Sequence, residues 1–81
     1  MEILIGKVVH FYNRINVAVL DLNDALKIGD TIHIVGRITD FTQTVESMEI
    51  EHQKVQSVGP GEVALKVWDY VRRGDEIYQT Q

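Results

Sequence analysis

Lys66, Trp68, Tyr70, Arg72 and Arg73 interleave cations with aromatic rings in one short stretch. Single-stranded nucleic acid is held by that combination, its phosphates by cations and its bases by stacking on rings. The same residues also suit a structural role, in which Trp68 caps the end of a sheet and the arginines are solvated neighbours. Upstream, Glu46, Glu49 and Glu51 form an acidic run. It would repel phosphate and suit a basic protein partner, or aim one carboxylate at a ribose hydroxyl. Glu49 and Glu51 are two apart and share a face on a strand, as an acid–base pair or as a solvated acidic face. His10, His33 and His52 show no i, i+4 pairing, so a metal site would have to be assembled by the fold. Ser47 and Ser57 lie outside any Gly-x-Ser-x-Gly elbow. The chain has no Gly-Lys-Ser/Thr phosphate loop and no Gly-x-Gly-x-x-Gly, which argues against nucleotide binding by this chain alone. It has no cysteine, which excludes a thiolate metal site and a cysteine nucleophile and suits a reducing compartment. Nothing in these residues demands catalysis, a metal or a cofactor, and the expectation is a non-enzymatic protein.

Eighty-one residues, 44% hydrophobic and 25% charged, are expected to form one domain over 1–81. Eight Lys and Arg against twelve Asp and Glu give a net charge of −4. No bulk positive field is available to attract nucleic acid, so any RNA contact must come from a local patch. The longest apolar run, Val17-Ala18-Val19-Leu20, is far below the ~20 residues of a membrane span. Met1 to Ile5 is too short for a signal sequence. A soluble, cytoplasmic protein without membrane contact is expected.

The elements that must carry these side chains read mostly as strands. Residues 3–12 are apolar on both parities, which predicts a strand bent near Gly6. Asn13-Arg14 predicts a turn into a second run over 15–22, giving a hairpin over about 7–22. Ile32 and Ile34 share one face of a short strand that Gly36-Arg37 ends. Phe41, Gln43 and Val45 alternate, and Met48 and Ile50 continue on the opposite parity, placing a β-bulge at Glu46-Ser47. Residues 62–67 predict a strand after the Pro60-Gly61 turn, followed by a helical turn or loop over 69–73. Two segments, 26–32 and 71–77, share an apolar-x-x-Gly-Asp-x-Ile pattern. Its content is a turn in which Gly adopts a conformation other residues avoid and Asp bonds nearby backbone. Many short strands between turn signals point to a small closed or nearly closed sheet.

The segments 45–52, 60–67 and 71–75, together with 26–32, resemble the second domain of translational GTPases of the elongation factor Tu and elongation factor 1-alpha kind. The chain as a whole resembles short stand-alone proteins called translation elongation factor-like, and a related barrel occurs at the C-terminus of collagenase-like peptidases. The resemblance implies an all-β fold, a single Greek-key β-barrel of six to seven strands. It places Glu49 near a pocket for the 3′ end of aminoacyl-tRNA, with Arg37 and the Pro60-Gly61 loop as its wall. The expected function is a binding module acting on a translation component, either tRNA or rRNA or a ribosome-associated protein. Its expected binding residues are Arg37, Glu49, His52, Lys66, Trp68, Arg72 and Arg73. The alternative is an accessory module that binds a peptidase-like or RNA-modifying enzyme and has no RNA role.

Overall fold

The computed structural model describes residues 1–80; residue 81, the last of the expected 1–81 span, lies outside the described residues. The strands are β1 (Glu2–Tyr12), β2 (Val17–Leu22), β3 (Leu26–Lys27), β4 (Thr31–Val35), β5 (Asp40–Thr44), β6 (Met48–Ile50), β7 (Gln53–Val55), β8 (Ser57–Val58), β9 (Gly61–Lys66) and β10 (Glu76–Thr80). The fold is all-β, and no helix occurs among the described residues. Eight strands form one sheet in the order β5-β4-β10-β1-β2-β9-β6-β7, and β3 pairs with β8 apart from it. Every pairing is antiparallel.

The side chains alternate as antiparallel strands with one buried face require. Along β2, Ala18, Leu20 and Leu22 are buried while Val17, Val19 and Asp21 face outward. Along β9, Val63 and Leu65 point in while Glu62, Ala64 and Lys66 point out. The inward residues of all the long strands meet in one core, with Ile5, Leu20, Ile32, Ile34, Leu65 and Ile77 at its centre. The sheet must therefore curl around that core. Ladder hydrogen bonds do not close it, since β5 and β7 remain as two edges. The expected barrel of six to seven strands, closed or nearly closed, is thus corrected to eight strands in one unclosed sheet with a separate two-stranded pair.

A side chain spans part of the gap between β5 and β9. Gln43, on β5, is 1% exposed. Its Nε2 donates to the carbonyl of Lys66 at 3.1 Å and to that of Thr44 at 3.2 Å, and its Oε1 accepts from the Trp68 amide at 2.8 Å. A buried amide so engaged replaces the backbone pairing that the two segments lack.

Bulges redirect the inward set. In β1 the register shifts between Leu4 and Gly6 against β10, and between Val8 and His10 against β2. Ile5 and Val8, three apart, consequently both point inward. The chain leaves strand geometry between β5 and β6, so Val45 and Met48 are both buried in the same way. The face shift expected at Glu46-Ser47 is thus present, but as a break between two separate strands and not as a β-bulge within one. The β1–β2 turn is longer than expected, covering residues 13–16, with Asn16 at φ 55°. Residues 69–73 form a loop.

The two Gly-Asp segments fold alike. Gly29 and Gly74 have φ of 96° and 95°. Asp30 accepts at its Oδ2 from the Lys27 amide at 3.0 Å, and Asp75 accepts from the Arg72 amide at 2.8 Å. Each turn is clamped to a buried valine on a neighbouring segment. The Gly29 amide donates to the Val45 carbonyl and the Val45 amide to the Asp30 carbonyl, while the Gly74 amide donates to Val8 and the Val8 amide to Asp75. The copies lead into β4 and β10, which pair with each other.

Candidate binding groove

The outer faces of β1, β2, β9, β6 and β7 carry most of the remaining chemistry. Register places Tyr12 opposite Val17, and Val17 opposite Lys66. In the next row Val19 faces Ala64, Ala64 faces Glu49, and Glu49 faces Lys54. Asp21 faces Glu62 in the row beyond. Val17, Val19 and Ala64 are half-buried and form an apolar floor. Tyr12 stacks edge-on against His10 at 4.3 Å between ring centroids and rises at one side, and the β6–β7 hairpin rises at the other.

Two adjoining cavities lie over this floor. One, of about 590 Å³, is lined by Tyr12, Ile15, Val17, Glu49, Lys54 and Lys66, among others. The second, of about 410 Å³, shares Tyr12, Glu49, His52 and Ala64 and adds Glu51 and Glu62. Lys66 therefore stands at one end of the groove and Glu51 and Glu62 at the other, with Glu49 and Lys54 opposite each other in the row between. Glu51 and His52 form the hairpin turn with φ of 51° and 66°. A two-residue hairpin turn of this hand favours Asn and Gly, so a Glu-His pair there is held at a backbone cost of about 1–3 kcal/mol per residue. It places His52 against both cavities. Among the described residues, Glu49, His52, Lys54 and Lys66 make no ion pair and no side-chain hydrogen bond.

The expected binding residues separate in space. Glu49, His52 and Lys66 meet in the groove. Arg72 and Arg73 line a different hollow of about 460 Å³ with His10, Phe11, Asn13 and Tyr70. Trp68 is half exposed, and its indole Nε1–H donates to Glu46 at 2.9 Å. Tyr70 packs edge-on to Phe11 at 4.9 Å. The two aromatic rings of the 66–73 stretch thus each make one contact, Trp68 with Glu46 and Tyr70 with Phe11, while staying more than half exposed. Arg37 sits in the β4–β5 turn and lines neither hollow. The groove is walled by Tyr12, Ile15 and the β6–β7 hairpin, and neither Arg37 nor Pro60-Gly61 lines it. Tyr12, Ile15 and Lys54 were invisible as site residues, because only the cross-strand register brings them to Glu49. The one available signal was the Asn13-Arg14 turn, which fixes where Tyr12 and Ile15 must emerge.

A second cluster lies on β4. His33 contacts Glu2 Oε2 through Nδ1 at 2.8 Å and Asp40 Oδ1 through Nε2 at 2.5 Å. Both ring nitrogens donate when the imidazole is charged. The Asp40 hydrogen bond, followed by that of Glu2, raises the His33 pKa above 6.5 against the opposing effect of burial. Tyr78, opposite His33 on β10, donates its hydroxyl to Glu76 at 2.9 Å, which raises its pKa above 10.0.

Fold and site together define a small all-β domain carrying an open groove with unengaged charges. No family model matches the chain. It is 44% identical over 79 residues to the uncharacterized protease MJ0090 of Methanocaldococcus jannaschii, covering 95% of this chain and 19% of that relative. In fold it is similar to the C-terminal domain of the Geobacillus thermoleovorans "putative U32 peptidase". The TM-score there is 0.86 at 18% identity, over 95% of this chain and 91% of that domain. The selenomethionine variant of that domain gives 0.86 at 19% identity, over 93% and 96%. These findings overturn the resemblance to translation elongation factors and leave the translation component as partner without support. The motifs that carried the resemblance are the two Gly-Asp turns, the segment that holds β6 and its turn, and β9 with the turn before it. They report backbone geometry, which unrelated functions share.

Proposed function

We propose that this chain is a non-catalytic accessory module of a peptidase-like enzyme, acting as its partner or as a counterpart of a segment fused to it. The observation that carries this reading is the 44% identity over 79 residues with a protease of which the match is only 19%. The chain spans about a fifth of that relative, so the catalytic work of such a protein falls to the remainder. The Geobacillus likeness, in which one such fold makes up a C-terminal domain, supports the same division of labour. The finer architecture belongs to the same reading: a Greek-key barrel completed by the Gln43 amide rather than by a closed ladder.

The test removes the matching stretch from the Methanocaldococcus protease and supplies this chain to the remainder in trans. A complex with Kd in the micromolar range is expected by calorimetry. No complex at 100-fold higher concentration, with both components folded by circular dichroism, overturns the proposal.

A further inference from the structure

The groove over Val17, Val19 and Ala64 carries unengaged charges of both signs around an apolar floor, whereas the hollow beside it holds, among the described residues, unengaged cations alone, Arg72 and Arg73. On the β4 face His33 is already engaged by two carboxylates. At the end of the sheet Trp68 is engaged by Glu46. In the groove, Glu49, His52, Lys54 and Lys66 surround an apolar floor and engage nothing among the described residues. Lys54 and Glu49 are register partners, yet no ion pair joins them.

From this we infer that the groove binds a short extended peptide with free termini and apolar side chains. The α-carboxylate lies at Lys66, in the cavity that Lys54 also lines, and the α-amino group lies at the Glu62 end. The polarity of the groove selects this ligand. Its cationic and acidic ends are set by Lys66 and Glu62, four residues apart on β9. At about 3.3 Å per residue that separation is roughly 13 Å, the span of an extended peptide of about four residues. The floor between the ends is apolar and shallow at Ala64, which leaves room for side chains. Glu49, midway, accepts from a peptide N–H, and the strained Glu51-His52 turn holds His52 over the same path. A single anion would use only one end of this arrangement, and an apolar helix would leave both ends unpaired.

This assignment rests on the peptidase reading only for its source of peptides. The probes are Val-Leu-Val-Leu with free termini, its C-terminal amide and its N-acetyl form, titrated into the full chain by NMR. The free peptide is expected to shift the amides of Val17, Val19 and Ala64 in a saturable way. Amidation should weaken binding about tenfold, because a charge-assisted contact is lost. The Lys54→Ala/Lys66→Ala double variant changes only exposed side chains and should bind free and amidated peptides equally. Glu62→Gln should likewise erase the effect of N-acetylation. Equal affinity of the wild-type chain for free and amidated peptide overturns the assignment, as does no binding at 10 mM or a shift pattern centred on His33. If the chain still binds the truncated protease while the peptide tests fail, the groove assignment falls and the module reading stands. The reverse result overturns the module reading alone.

Discussion

His33 is a titratable group whose protonated form the fold favours. Glu2 on β1 and Asp40 on β5 each accept from its ring, and Tyr78 and Glu76 on β10 lie on the same face. Its folded pKa is raised above 6.5, so the stabilisation is complete below about pH 6.5 and is lost as pH rises through the raised value. Asp40 is largely exposed, which keeps the contribution to about 0.5–1 kcal/mol. Urea midpoints at pH 5.5 and 8 should show the wild-type chain losing this amount relative to His33→Gln. An unchanged difference between the two proteins across that range would refute the coupling. Gly36 makes a sharper demand at the scale of one atom. A Cβ there would lie within bonding distance of the Asp75 carboxylate, which is 5% exposed and accepts from the Arg72 amide. Gly36→Ala must displace that carboxylate and orphan the Arg72 N–H, costing about 1–3 kcal/mol in urea-unfolding free energy.

At the scale of elements, what the sequence makes legible is what is determined locally. The Gly-Asp segments were visible at 26–32 and 71–77 because a positive φ followed by a bonding Asp leaves a residue-level signature. The structure adds that both turns clamp a buried valine, Val45 or Val8. The β1–β2 hairpin, the β9 strand and the face shift at 46–47 were legible for the same reason, each being a matter of alternation and turn chemistry. Register is not local. Glu2 meets His33 across 31 residues, and the groove draws on strands from β1 to β9, so neither could be read from spacing. The resemblance to translation factors rests on local strand and turn segments, and such geometry does not determine function. Equivalence of the two turns has a measurable consequence. No atom lies within 4 Å of a Cβ placed at Gly29 or at Gly74, so alanine there meets only backbone strain. Gly29→Ala and Gly74→Ala should each cost about 1 kcal/mol, and the two costs should agree within about 0.5 kcal/mol in urea unfolding. A large inequality would show that the two turns are alike in shape but not in role.

Across the whole molecule, the sheet has a seam that the Gln43 side chain bridges at its buried side and the Trp68–Glu46 hydrogen bond at its exposed side. The ladder runs from β5 to β7 without closing, while the core needs cover on every side. Gln43 supplies part of that cover by joining β5 to the end of β9 and to the Trp68 amide. A leucine would fill similar space and give the core more apolar surface, yet it would leave the Lys66 carbonyl and Trp68 amide without their partner. Each orphaned group costs about 1–3 kcal/mol, more than the added apolar burial returns. Gln43→Leu should therefore destabilise the chain and do so locally first. Trp68 is the single tryptophan, so its fluorescence reports directly on the seam. In the variant, fluorescence should change at lower urea than the far-ultraviolet circular dichroism, and the Trp68 amide should exchange faster while β1 and β10 amides keep their protection. Coincident transitions with unaltered Trp68 exchange would mean that apolar packing alone holds the two sides together. The groove lies beside this seam, since Lys66 carries both the carbonyl bound by Gln43 and the ammonium that lines the cavity. Loosening the seam should therefore also weaken carboxylate-dependent peptide binding, whereas His33→Gln, on the β4 face, should leave it unchanged.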